Sequence, residues 1–165
     1  MLAAKDKANG FISIAGAGQT IDSVIIEQIE KTAPQFTEDT KRVFTILKTG
    51  KTTLDYPEAL TSIFNIETQR FFMSWMKHNP IDIMGTLNIP TLVINGTKDL
   101  QVSETEALLL KEAASDAAIK IIKNMNHVMV TIEGDDLENS KSYNESHRPL
   151  ADGLLASIIT FITTK

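Results

Sequence analysis

The sequence predicts an α/β fold built on a short parallel sheet, and three observations carry that prediction. Three short β-rich runs, Phe11 to Ala17, Thr91 to Gly96 and Ala118 to Ile122, are each bounded by glycine, proline or turn residues. Segments of helical period stand between them, so strand and helix alternate as they do in a parallel sheet covered by helices. The chain has 165 residues, 42% hydrophobic and 22% charged, with mean hydropathy −0.04, the size and composition of one globular domain.

Each element has a local reason. Met1 to Gly10 reads as the last two turns of a helix, with lysines near its end and Asn9-Gly10 as the left-handed stop. No N-cap precedes it, so the chain is expected to be cut from something longer. Phe11-Ile12-Ser13-Ile14-Ala15-Gly16-Ala17-Gly18 follows as a buried strand and its exit. Asp22 is expected to cap a helix through about Thr32, with Val24, Ile25, Ile29 and Ala33 at helical spacing and Pro34 as its end. Thr37 opens the next helix, with Val43, Phe44 and Leu47 on one face and Gly50 as its stop. Pro57 to Phe64 and Glu67 to Lys77 are two more helical segments. The second carries Phe71, Phe72, Trp75 and Met76, a stripe whose default role is core packing and whose alternative is lining a pocket. Residues 19–79 thus form a helical stretch resembling an insertion between two strands.

Ile89-Pro90 then leads into the run Thr91-Leu92-Val93-Ile94-Asn95-Gly96, closed by a turn. Ser103 caps a helix to about Ala114, with Glu104 and Glu106 where the helix dipole favours negative charge. Ala118 to Ile122 is the third strand, Glu133 to Arg148 reads as a polar loop, and Pro149 is expected to start a last helix to about Thr163. The organisation expected is 1–18 for a helix end and the first strand, 19–88 for a helical insertion, and 89–165 for the C-terminal strand–helix part.

Composition closes several functional classes. Sixteen Lys+Arg against 21 Asp+Glu leave a net charge of −5, so nothing electrostatic favours nucleic acid or an acidic membrane surface. No apolar run reaches the ~18–20 residues that a bilayer-spanning helix needs. There is no cysteine, hence no disulfide framework, thiolate metal site or thiol nucleophile. Gly16-Ala17-Gly18-Gln19 lacks the third glycine and downstream acid of a dinucleotide fingerprint. Glu133, Asp135, Asp136 and Glu138 lack the alternating ligand pattern of a calcium loop and read as a solvated acidic stretch. No metal and no cofactor is expected. No targeting segment is visible, which leaves the compartment unassigned, cytoplasmic by default.

In open parallel sheets the reactive side chains stand just beyond the carboxyl ends of strands. Asp99, in Asn95-Gly96-Thr97-Lys98-Asp99, and His127, in Asn124-Met125-Asn126-His127, both fall there, after the second and third strands. Alone, such an Asp is ordinary turn chemistry and such a His an ordinary polar residue. Together they have the reach needed for a carboxylate to orient an imidazole that acts as general base. His78 and His147 have no comparable partner and read as solvated.

At these residues the sequence resembles a family. Ile89-Pro90-Thr91-Leu92-Val93-Ile94-Asn95-Gly96-Thr97-Lys98-Asp99-Leu100-Gln101-Val102 looks like the acid-bearing segment of α/β-hydrolases of the serine-aminopeptidase and carboxylesterase-like group. Met125-Asn126-His127 looks like their histidine segment, and Asn79-Pro80 with Ile81 to Leu87 like the exit from their helical lid. The resemblance covers nearly the whole chain but only the C-terminal half of that fold. It implies Asp99 as triad acid and His127 as triad base.

One departure is large. The family's nucleophile stands in Gly-x-Ser-x-Gly between a strand and a helix, ahead of both partners in the chain. None of the ten serines here has glycine two residues before and two after. The opening Met1-Leu2-Ala3-Ala4 resembles the helix just after that elbow, so the elbow and the oxyanion-hole N–H groups are expected upstream. The resemblance therefore implies ester or amide hydrolysis of a small-molecule substrate by the full-length form, with this 165-residue form inactive. The alternative is a non-catalytic truncated fragment that folds as an oligomer. The first strand, Phe11 to Ala17, would leave an open apolar edge, and a homodimer through that edge is expected.

Overall fold

The computed structural model describes Met1, Leu2 and residues 4–164, without the side chains of Lys5 and Asp6. Part of the expected N-terminal helix end, Ala3 and those two side chains, lies outside the described residues. The elements in chain order are α1 (Ala4–Lys7), β1 (Phe11–Ile14), α2 (Ile21–Thr32), α3 (Thr37–Lys48), α4 (Thr61–Phe64), α5 (Ile66–Trp75), α6 (Pro80–Met84), β2 (Thr91–Gly96), α7 (Glu104–Ala113), β3 (Ala118–Ile122), α8 (Asp136–Ser142) and α9 (Leu154–Thr163). Short 3₁₀ turns precede α3 and α4. The chain divides into two compact units, one of Met1–Gly18 with Pro80–Lys165 and the other of Gln19–Asn79.

The first unit is the α/β part. Its sheet has the order β1-β2-β3, all parallel, with Ile14 opposite Ile94 and Gly96 opposite Ile122. All six residues of β2 are buried, as a central strand covered on both faces must be. The period of two sends Val93, with Phe11, Ile119 and Ile121, against Met84, Leu87, Ala107 and Leu110 from α6, α7 and the turn between α6 and β2. Leu92 and Ile94, with Ile12, Ile14 and Ile122, pack instead against Met125, Ala151 and Leu154, flanked by Ile158 and Phe161 of α9. The result is helix, sheet, helix, the arrangement expected. β1 has β2 as its one strand neighbour among the described residues. Leu155, Ile159 and Ile162 form an exposed apolar row on α9.

The second unit is helical. Phe44, Phe64 and Phe72 meet edge-on or tilted, with ring centroids 5.3 to 6.2 Å apart, surrounded by Ile21, Ile29, Val43, Leu47 and Leu60. Gly50, at φ 78°, takes the left-handed stop expected after α3. Gln69 is fully buried; its side-chain amide donates to the carbonyls of Thr53 and Phe64, and its oxygen accepts from the Thr53 N–H.

Five local expectations are corrected. Ser103 stands at the N-cap position of α7, but its side chain makes no capping hydrogen bond. Asp22 does not cap α2, which starts at Ile21 after an extended Thr20; its carboxylate turns inward to an ion pair of 2.6 Å with Lys48 on α3. Burial alone would push that carboxyl up, but hydrogen bonds from Lys48 and Thr20 and the Lys48 charge together bring it below its usual value. Strand β1 ends at Ile14 rather than Ala17, because Ala15 adopts a left-handed φ of 49°. Residues 133–148 are not simply a loop, since they contain α8. Pro149 does not open α9: Leu150 bridges antiparallel to Val130, the Ala151 N–H donates to the Met129 carbonyl, and α9 begins at Leu154 after a left-handed Gly153. The Phe71 to Met76 stripe also splits, with Phe72 in the core and Phe71 and Trp75 exposed.

Candidate active site

The two turns that leave β2 and β3 are built from backbone hydrogen bonds. The Thr97 N–H donates to the Ile122 carbonyl and the Lys98 N–H to the Met125 carbonyl, so the turn after β2 continues the sheet onto the turn after β3. The Asn124 N–H returns a bond of 2.8 Å to the Thr97 hydroxyl. Gly96 sits where these strands close: a Cβ there would run into the Met125 carbonyl, so glycine is required by proximity. Beyond it, buried Asn95 turns its amide onto the Val102 and Ser103 carbonyls and accepts from the Gly96 N–H, clamping the turn into a loop that feeds α7.

Asp99 hangs inside that loop with its side chain fully enclosed. One carboxylate oxygen, Oδ1, accepts the N–H groups of Gln101 and Val102, each at 2.8 Å. The other, Oδ2, lies 3.0 Å from Nδ1 of His127. Two backbone donors fix the plane of the carboxylate, which therefore aims one oxygen at the ring. With Nδ1–H donating to Asp99, Nε2 is the nitrogen left to accept a proton. The hydrogen bond to Asp99 and that carboxylate's charge raise His127 above the ordinary 6.5, against a burial that would lower it. Burial raises the neighbouring Tyr143 phenol; a hydrogen bond with Gln101 lowers it and the Asp99 charge raises it further.

His127 is held from its own side by an adjacent buried amide. Asn126 Oδ1 accepts from the Val130 N–H, and its Nδ2 donates to Asn139 and to Ser142 on α8. Asn124 and Met129 take left-handed conformations at φ 60° and 64°, which fold the segment tightly enough for the Met125–Thr131 bridge. At the exit of β1, the Gly18 N–H donates to buried Glu106 at 2.7 Å, which ties that exit to the first turn of α7.

Asp99 and His127, singled out from the sequence, are thus brought into direct contact. Asn95, Asn126, Asn139 and Glu106 were not singled out as site residues. One signal was present: Asp135-Asp136-Leu137-Glu138 has the spacing of an N-cap with an acid three residues on, and Asp135 does accept from the N–H groups of Leu137 and Glu138. Among the described residues no group of three or more His, Asp or Glu could hold a metal ion, and no helix is long and apolar enough to cross a membrane. A cleft of about 540 Å³ bordered by Leu87, Thr91 and Ala117 lies at the opposite, amino ends of β2 and β3.

An enclosed carboxylate and an imidazole thus stand in hydrogen-bond contact beyond two adjacent strand ends of a parallel sheet. Among solved structures, the chain is similar to the enol-lactonase of Burkholderia xenovorans LB400 at 13% identity and a TM-score of 0.46, over 98% of this chain and 60% of that one. It is similar to a meta-cleavage product hydrolase of Pseudomonas fluorescens IP01 at 18% identity and TM-score 0.42, over 87% and 57%. It is also similar to a bromoperoxidase of Bacillus anthracis at 15% identity and TM-score 0.47, over 97% and 61%. The chain spans about 60% of the length of these structures. No family model and no curated protein matches it.

Proposed function

We propose that this chain carries the acid and base of a serine hydrolase of the α/β-hydrolase fold, cleaving a small ester or amide by acyl transfer. The observation that carries the reading is the 3.0 Å bond from His127 Nδ1 to an Asp99 carboxylate already held by two backbone N–H groups. In this role Asp99 fixes the tautomer and orientation of the ring, and His127 Nε2 takes the proton of a serine hydroxyl and later delivers it to the leaving group. The nucleophile lies outside residues 1–165, since none of the ten serines stands in a Gly-x-Ser-x-Gly setting. Loss of the serine from a triad lowers turnover on the order of 10⁶-fold, so the 165-residue form by itself is inactive.

Intact-mass spectrometry after incubation with a fluorophosphonate, which labels activated serines, tests both halves. The 165-residue chain is expected to stay unlabelled. A longer protein containing the elbow is expected to gain one stoichiometric adduct that His127→Ala abolishes. An adduct on the 165-residue chain would overturn its inactivity, and labelling of the longer protein that survives His127→Ala would overturn the role of His127.

The open edge of β1 and the exposed row Leu155, Ile159 and Ile162 support a further part of this reading, that the 165-residue chain alone self-associates by pairing β1 with β1 of a second copy. Light scattering is expected to show a dimer or larger species; a monomer throughout the micromolar range would refute the pairing.

A further inference from the structure

We propose that Asn139 is a positioning residue that sets the separation of Asp99 and His127 by bridging the residues that precede them. It rests on the reading of Asp99 and His127 as a working acid and base. Asn139 stands on α8 and is completely buried. Its Nδ2 donates to the Lys98 carbonyl at 2.7 Å, and its Oδ1 accepts from Asn126 Nδ2 at 2.9 Å. Lys98 and Asn126 are the immediate neighbours of Asp99 and His127, so one planar amide spans the two turns with one donor and one acceptor. Ser142 completes the circuit: its hydroxyl lies 2.7 Å from Asn126 Nδ2 and donates to the Asn139 carbonyl at 2.6 Å.

The chemistry of the bridge is specific to this side chain. Aspartate lacks the donor, glutamine is one methylene longer, and an apolar residue leaves a buried carbonyl and a buried amide without their partner. The helix itself has other anchors, which separates docking α8 from aligning the pair. Asp135 caps its N-terminus, Glu138 pairs with Arg148 at 2.8 Å, and Lys98 Nζ donates to the Gly134 carbonyl. Among the described residues, His127 and Tyr143 of the α8 C-cap both face Asp99. A displacement of either turn changes the Asp99–His127 hydrogen bond, and with it the proton affinity of the ring.

The titration of His127 in the 165-residue chain reads this directly and needs no nucleophile. The His127 ring signals would be followed by NMR against pH, with urea unfolding of each variant alongside. The original chain is expected to titrate above 6.5 and to show a low-field Nδ1 proton. In Asn139→Ala and Asn139→Ser the low-field proton is expected to vanish and the titration to fall back toward 6.5. Glu138→Gln, which weakens the anchoring of α8 but leaves the bridge, is expected to unfold at lower urea and keep the original titration. A folded Asn139 variant with unchanged His127 titration would overturn the proposal, as would an equal change in Glu138→Gln. Failure of both Asn139 variants to fold would assign the bridge to stability and also overturn it. An original chain that titrates at the ordinary value would instead overturn the acid–base reading itself.

Discussion

The helical unit of Gln19–Asn79, where one buried amide, Gln69, stands among apolar side chains, and the two turns at the carboxyl ends of β2 and β3, where three do, are held together in different proportions. In the first, Phe44, Phe64 and Phe72 interlock with aliphatic neighbours and exclude water by area. In the second, Asn95, Asn126 and Asn139 are buried amides whose donors and acceptors are spent on particular partners. Apolar burial is non-directional, so a core of that kind can shift by tenths of an ångström with little loss. Hydrogen bonds fix direction, and a buried amide left unpaired is expensive. The part of the molecule in which one carboxylate oxygen meets one imidazole nitrogen is the part with several buried amides.

The largest expected effect separates chemistry from folding. In a protein that includes the nucleophile, His127→Ala should lower turnover on the order of 10⁶-fold. The same change should lower stability by only about 1–2 kcal/mol, because Asp99 keeps its two backbone donors. A loss of activity matched by general unfolding would break the distinction. The helical unit should show the reverse pattern. Phe64→Ala, at a fully buried ring, is expected to cost about 3–5 kcal/mol in urea unfolding. A pair of volume-conserving swaps sharpens the contrast: Leu47→Met in the helical unit should cost less than about 1.5 kcal/mol. Asn95→Asp, matched in volume but without the donor that serves the Val102 and Ser103 carbonyls, should cost about 2–3 kcal/mol. Equal losses for the two swaps would show that volume, and not hydrogen bonding, governs both regions.

The same contrast explains what could be read from the sequence. The three strands were legible because β-rich runs between turn residues report burial, and burial is what the sheet needs. The helices of the 19–79 stretch were legible from apolar spacing for a similar reason. Asp99 and His127 were legible as a pair because strand order places both at one edge. Local propensity misled wherever a distant partner decided the conformation. Asp22 has the chemistry of an N-cap, but Lys48 on the next helix draws it inward. Pro149 has the chemistry of a helix start, but the bridge between Leu150 and Val130 holds the chain extended there. Asn126 and Asn139 were invisible for the same reason, since the hydrogen bonds of their side chains span from 4 to 41 residues. Gly96 looked like a turn residue, whereas its absent side chain makes room for the backbone of Met125.

The smallest effects expected are on pH, where the two regions should respond with opposite sign. The Asp22 carboxyl is held below its ordinary 3.8 by Lys48 and Thr20, so its pairing stabilises the protein above that value. That contribution is lost as pH falls through the depressed value and the folded state takes up its proton. His127 is raised above 6.5 by Asp99, so the folded state binds its proton more tightly than the unfolded state does. Its contribution is complete below 6.5 and is lost as pH rises through the raised value. Urea midpoints measured against pH should therefore decline at both ends, on an acid limb and a neutral-to-alkaline limb. Asp22→Asn should flatten part of the acid limb and leave the other unchanged; His127→Gln should flatten the second limb alone. If His127→Gln left the upper limb intact, its decline would have to come from other groups, and the Asp99–His127 bond would be contributing geometry without measurable stability.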